Sequence, residues 1–210
     1  NNMAAGYNKK TRALSEDEYK NVMEAIMCGF KYTDDKGKVK TFRPNKRLAV
    51  ILQTEAVSGM RIGDVLKLRM SDIVRDGERF RLDVIEEKTG KKREFTVKKE
   101  LYNSLKQYGL DNDIPSASPL FAKNGKIPTE RAIQKQLAIV CQHLRLDNVS
   151  THSFRKMFAT KVYTDSGYNV RLVQQLLQHS SITTTQRYLG TTSKQIEDAL
   201  QGVSDSYILI

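Results

Sequence analysis

Between Glu78 and Val97 the sequence reads ERFRLDVIEEKTGKKREFTV, with apolar and polar residues alternating on both sides of a Lys-Thr-Gly-Lys turn. A two-residue period sends successive side chains to opposite faces, so the stretch is expected to fold as an antiparallel hairpin. DIVRD, residues 72–76, adds a third short strand just before it. The segments on either side follow the helical period instead. The chain is therefore expected to be mainly α, with a small three-stranded antiparallel sheet near its middle.

The first helical segment, LSEDEYKNVMEAIMCG, opens with a capping box in which Ser15 caps the helix and Glu18 reaches back. Val22 and Ile26 follow at helical spacing, and Gly29 stops the helix. Residues 32–44, YTDDKGKVKTFRP, read as a basic, solvated loop or short hairpin. NKRLAVILQTEAVSG is a buried helix ended by Gly59, and RIGDVLKL begins a second helix almost at once. After the sheet, helices are expected over Lys99–Tyr108 and Pro128–Leu144. In the second of these, Ile133, Leu137, Val140, Cys141 and Leu144 form one apolar stripe. Further helices are expected near 151–165, 169–178, 181–189 and 193–201, before a tail GVSDSYILI. His143 lies beside the apolar stripe and reads as structural or surface.

A chain of 210 residues with 39% hydrophobic residues suits one generous domain or one domain with a tail, and can bury a real core. Its formal net charge of +11 attracts polyanions, so double-stranded DNA or another nucleic acid is the leading partner. No apolar run approaches the roughly 20 residues needed to span a bilayer, and the N-terminus lacks the apolar core of a signal peptide. A cytoplasmic, nucleoid-associated protein without a membrane partner is expected. Cys28 and Cys141, with no CxxC spacing, read as reduced core thiols rather than a disulfide or zinc site. With His143, His152 and His179 as the three histidines, no metal centre is expected.

Three stretches could carry chemistry. In THSFRKMFAT, His152 and Arg155 stand three apart and share a helical face, while Ser150 or Thr151 can cap the helix. A helix N-terminus, an imidazole and a guanidinium together suit a phosphate. In SGMRIGDVLKL, Arg61 begins a helix just after a glycine turn, and Asp64 is placed to orient Arg61 or a nearby imidazole. The hairpin tip concentrates Lys88, Lys91, Lys92 and Arg93, as a solvated edge or a basic finger for a DNA groove. Singly, each has an ordinary explanation. So does Tyr188, nine residues after His179 in LLQHSSITTTQRYLG, since most of a chain's tyrosines serve packing.

The joint order is specific. Arg61, Lys88, His152-x-x-Arg155, His179 and Tyr188 follow one another with a spacing that resembles the catalytic domain of the tyrosine recombinases, the phage-integrase family. The resemblance runs from about residue 12 to 202. It implies the tyrosine recombinase catalytic fold, Arg61 and Arg155 as a phosphate clamp, Lys88 as the hairpin lysine, His152 and His179 as the two histidines, Tyr188 as nucleophile and Asp64 as acidic support. Gln178 stands where the family usually has glycine, and Lys156 where histidine often follows the arginine; neither change removes a reacting group.

These residue types suit strand breakage without water or metal. A tyrosine can form a reversible phosphoryl-enzyme, guanidinium groups can neutralise the charge gathering on a phosphorane, and a lysine can protonate the departing 5′ oxygen. The implied reaction is DNA cleavage and rejoining through a 3′-phosphotyrosine, with no cofactor and no small-molecule substrate. Lys91, Lys92, Arg93, Lys156 and Arg187 are the expected DNA contacts. The expected assembly is a homotetramer on synapsed DNA and a monomer alone. Alternatives are a type IB topoisomerase, which shares the resemblance, and a non-catalytic DNA-binding module, against which the full set of reacting residues argues. An RNA-binding role finds no aromatic stacking motif. Residues 1–11 are expected to be linker or appended sequence, 12–202 the catalytic domain, and 203–210 a tail exchanged between protomers, with an N-terminal core-binding domain absent.

Overall fold

The computed structural model describes residues 11–85, 90, 92–177, 179 and 181–189, and divides the chain into one unit up to Phe158 and another from Ala159. Helix α1, Glu16–Cys28, begins as its capping box predicts: the Glu18 N–H donates to Ser15 Oγ and the Ser15 N–H to Glu18 Oε2. Arg12 forks onto the same carboxylate at 2.6 and 2.7 Å, which holds Glu18 below its ordinary pKa. Cys28 is exposed at the end of α1, which corrects its reading as a core thiol. The buried face of α1 runs through Val22 and Ile26, and Cys28 lies off it. Cys141 is buried, and burial pushes its thiol up to about 11.

The basic segment that follows takes the second of its two expected forms, a two-stranded hairpin of β1 (Phe30–Thr33) and β2 (Val39–Phe42), which makes a second small sheet. Phe30 stacks on Phe42 at 5.0 Å and on His143 at 3.9 Å. His143 thus covers an aromatic face from the end of α5 (Glu130–His143), in keeping with a structural role. The predicted sheet forms in the order β3 (Ile73–Asp76), β4 (Arg79–Ile85), β5 (Lys92–Val97). Its alternation is realised: Ile73, Leu82 and Val97 point into the core while Val74 is exposed. Helix α4, Lys99–Asp111, covers the sheet, with Tyr102 stacked on Phe80 at 3.9 Å.

The core of the first unit lies where α2 (Lys46–Ser58), α3 (Ile62–Lys67), α4 and α5 meet α1 and the sheet. Leu48, Ile51 and Leu52 of α2, Leu105 of α4, Leu137 of α5 and Phe121 are all but inaccessible. Phe154, in the first half of α6 (Thr151–Asp165), closes this core and meets Tyr19 of α1 edge-on at 6.2 Å. The entry segment is tied beside α6. The Arg12 N–H donates to Asn148 O at 3.0 Å, its Nε donates to Asp147 O at 3.1 Å, and Lys156 Nζ donates to Thr11 O at 2.5 Å.

In the second unit, α7 (Val170–Leu177) buries Val173 and Leu177 and packs on α8 (Ile182–Leu189). Asn169 Oδ1 accepts the Leu172 N–H and Ser181 Oγ the Thr184 N–H, so each helix starts on a polar cap. Tyr163 and Tyr168 meet edge-on at 5.3 Å across the turn before α7. The helix expected near 193–201 and the tail lie outside the described residues.

One turn in the first unit is sterically closed. Gly59 ends α2 at φ 63°, ψ 19°, with its N–H on Glu55 O at 2.9 Å. A Cβ there would fall 2.3 Å from Cδ1 of Phe158. Left-handed backbone and a facing ring both demand glycine. Gly59→Ala is expected to cost about 2–4 kcal/mol of unfolding free energy in urea titration. The same substitution in a Phe158→Leu background should cost less, because the ring is one of its two penalties.

Candidate active site

The site grows from the junction of two helices. Ser58 closes the last turn of α2 by donating its hydroxyl to Thr54 O at 2.6 Å, and its Oγ then accepts the Met60 N–H at 3.2 Å. Gly59 reverses the chain, Met60 is buried, and Arg61 opens α3 in an extended conformation as its N-cap residue. The N–H groups of Asp64 and Val65 both bond to Arg61 O at 3.0 Å, which fixes the backbone on which the arginine stands. Arg61 and Asp64 are partly buried.

Arg155 reaches the same junction from α6. It is 2% exposed, and its Nη1 donates to the carbonyl oxygen of Gly59. The backbone that carries Arg61 is thus the backbone to which Arg155 is bound, two residues away. Helix α6 starts on a dense polar cap: Gln134 of α5 accepts the Thr151 N–H at 3.0 Å, Ser153 Oγ accepts the Ser150 N–H at 3.0 Å, and Ser150 O accepts the Ser153 N–H at 2.9 Å. Ser150 therefore caps through its backbone, while its hydroxyl lies 3.3 Å from that of Thr11. His152 is exposed in this first turn, with Phe154 beneath it in the core. Its neighbour on the helix, Lys156, holds Thr11 O, a structural contact that the sequence does not announce.

Two acids belong to this constellation without having been singled out in the sequence. Glu55 lies on α2 one turn before Gly59, is 0% exposed, and among the described residues has no hydrogen-bond partner at either carboxyl oxygen. Burial drives its pKa well above the usual carboxylate range; Arg155 pulls it down and Glu130 pushes it up. Glu130, in the first turn of α5, approaches α3 at Gly63, where a Cβ would lie 2.6 Å from its Oε1. A signal for Glu55 was present. It falls on the stripe Leu48, Ile51, Leu52, Glu55, Ser58, all buried, so helical periodicity put a charge on an apolar face.

The remaining predicted residues fall elsewhere. In the second unit the His179 N–H donates to Gln174 O at 3.0 Å, and Gln174 Nε2 donates back to His179 O at 3.2 Å. The His179 Nδ1 lies 3.1 Å from Oγ1 of Thr185, a residue fully buried in α8. The imidazole is thereby held at one nitrogen in a set orientation. Tyr188 stands in α8 one turn after Thr185, with Arg187 beside it. The last ladder pair of the hairpin is Ile85 with Lys92, so Lys92 and Arg93 belong to β5. Lys88 and Lys91 lie outside the described residues. Arg61, Asp64, His152 and Arg155 are thus gathered in the first unit, and His179 and Tyr188 in the second.

Known proteins resemble this chain in sequence and in fold. The model of the phage integrase family matches residues 12–195. The tyrosine recombinase XerA of Pyrococcus furiosus is 28% identical over 193 residues, covering 90% of this chain and 61% of that protein. The tyrosine recombinase XerC of Bradyrhizobium diazoefficiens is 31% identical over 144 residues, 66% of this chain and 44% of that protein. A crystal structure of the XerH site-specific recombinase bound to palindromic difH substrate superposes with a TM-score of 0.70 at 21% identity, covering 90% of this chain and 52% of that one. The crystal structure of XerA recombinase gives 0.65 at 22% identity, over 94% and 66%. The chain belongs to the phage integrase family, and its fold is that of the tyrosine recombinase catalytic domains. It spans 61% or less of the length of these two curated relatives.

The buried acid has a thermodynamic signature. A carboxyl whose pKa rises on folding keeps its proton in the folded chain after the unfolded chain has lost it near pH 4.3. Stability therefore falls as pH climbs from that value through the folded pKa. Glu55→Gln carries no such proton. Melting temperatures measured across pH should show the wild-type chain losing ground to Glu55→Gln above about pH 4.3. Parallel curves would show that the carboxyl is not held neutral.

Proposed function

We propose that this chain is the catalytic domain of a tyrosine-type site-specific DNA recombinase, which breaks and rejoins duplex DNA through a 3′-phosphotyrosine without a metal or other cofactor. The observation that carries the reading is the buried Arg155 bound to the turn that bears Arg61, within a chain whose family match runs from residue 12 to 195. Membership of a family that includes named tyrosine recombinases supports it, as does a fold shared with XerH bound to its DNA substrate.

In this reading Tyr188 Oη attacks the scissile phosphorus, the P–O5′ bond breaks, and the 5′ oxygen leaves with a proton. Rejoining runs the same steps backwards. Guanidinium groups stay charged at any working pH and offer paired donors, so Arg61 and Arg155 would take the non-bridging oxygens. Anchoring Arg155 on a backbone carbonyl sets its plane before substrate arrives, which removes a reorganisation cost. His179, oriented through Nδ1 by Thr185, would donate to the phosphorane, and His152, exposed at the head of α6, would assist proton movement. Asp64 would support Arg61 from the first turn of α3. Lys88 is the acid for the 5′ oxygen. The full-length protein would act as a homotetramer on synapsed DNA in the cytoplasm, with residues 203–210 exchanged between protomers.

The DNA-contact set is Lys91, Lys92, Arg93, Lys156 and Arg187. Residues 88–99 hold six lysines and arginines against Glu94 alone, a charge density suited to a groove. Binding should weaken with salt at a log–log slope of about −0.9 per phosphate contacted. Replacing Lys91 and Lys92 by alanine should flatten that slope. A slope left unchanged would return the hairpin to a solvated edge.

The acid is testable by changing the leaving group. Lys88→Ala should slow cleavage by roughly 100- to 10,000-fold, the usual worth of one positioned acid. A substrate with sulfur at the scissile 5′ position leaves as a thiolate of pKa about 8.5 and needs no proton. On it, Lys88→Ala should recover, Arg61→Ala should stay slow because its deficit is phosphorane charge, and Tyr188→Phe should form no covalent complex. Equal slowness of Lys88→Ala on sulfur and oxygen would move the role to Lys91 or Lys92.

A further inference from the structure

Glu55 has no task in the chemistry above, yet it is buried one helical turn before the carbonyl that holds Arg155. Its backbone carbonyl accepts the Gly59 N–H at 2.9 Å, and the Gly59 carbonyl accepts Arg155 Nη1, so acid and guanidinium share one turn of backbone. Glu55 is 0% and Arg155 2% exposed. Charges this dry act on one another with little screening. An apolar residue would continue the buried face of α2, as Leu48, Ile51 and Leu52 do, whereas an acid with neither oxygen bonded is costly there.

We propose that Glu55 is a proton-gated counter-ion of Arg155: with its proton it leaves the guanidinium to a DNA phosphate, and without it the carboxylate competes with that phosphate for the same cation. The inference rests on the recombinase reading, in which Arg155 binds phosphate. Helices α1, α3 and α4 pack on α2, and Asn45 at its start bonds Gln136 of α5 at 2.8 Å. Among the described residues, the charged groups that act on Glu55 are Arg155 of α6, which favours the carboxylate, and Glu130 of α5, which with burial favours the acid. A phosphate arriving at Arg155 adds a second negative charge and shifts Glu55 further towards its protonated form. Binding of DNA then takes up a proton from solvent. Glu55 is a positioning residue in this scheme; it acts through Arg155 and not on the reacting atoms.

The test is binding of a mixed-sequence duplex by the Tyr188→Phe chain, which cannot cleave, from about pH 5 to about pH 9, with and without Glu55→Gln. With Glu55 present, affinity should fall by up to about tenfold per pH unit through the window in which the carboxyl titrates. With Glu55→Gln that component should vanish, leaving tighter binding at the alkaline end. Adding Arg155→Gln should abolish the difference between the two, since the guanidinium is what they contest. Calorimetry of the Glu55-containing chain in two buffers of different ionisation enthalpy should show net proton uptake on binding, and decides the matter should Glu55→Gln not fold. Parallel pH profiles with and without Glu55, or binding without proton uptake, would overturn the inference while leaving the recombinase reading intact. A folded chain that binds no duplex at any pH would sink that reading and this inference with it.

Discussion

A guanidinium taken almost wholly out of water is the constraint around which the first unit is organised. Burying a charge costs several kcal/mol unless its donors are met. Arg155 meets part of that cost on the carbonyl of Gly59. For that carbonyl to point inwards, α2 must end in a left-handed residue, and for the ring of Phe158 to pass over it, that residue must lack a side chain. The junction between α2 and α3, the first turns of α6 and the placement of Arg61 thus follow from one hydrogen bond. A lysine would not fill this place, because its compact ammonium lacks the planar, rigid fork by which a guanidinium holds a backbone oxygen on one nitrogen and keeps paired donors in a set plane for a phosphate.

Much of this was legible in the chain. The capping box of Ser15 and Glu18, the hairpin between Arg79 and Val97 and the stop at Gly59 are local signals, and each formed as read. Arg61, His152, Arg155, His179 and Tyr188 were singled out as candidates through their order, which is specific as a set even where the single motifs are common. What escaped was tertiary. Nothing near Lys156 in the sequence points to Thr11, and nothing near Gly59 points to the ring of Phe158, because both partners come from about a hundred residues or more away. Cys28 was assigned to the core for its residue type, yet the apolar face of α1 runs through Val22 and Ile26 and leaves it outside.

Glu55 illustrates a different limit. Its periodic position was visible, and the conflict between a charged residue and a buried face is the kind of inconsistency that marks functional ground. The sequence could show the conflict but not its resolution, which depends on how much water and which cation lie beside the carboxyl. Those are properties of packing. The structure supplies them through the neighbouring Arg155 and Glu130.

The entry segment has a mechanical meaning. Thr11 and Arg12 are fastened in series to Asn148, Asp147 and Lys156, on both sides of the turn from which α6 departs. A force on the polypeptide upstream of Thr11 is therefore not dissipated in a slack strand. One hydrogen bond, from Lys156, carries it into the helix that bears His152 and Arg155, and the two from Arg12 carry it to the turn just before that helix. The chain's entry is thereby coupled as a lever to the seat of a deeply buried cation.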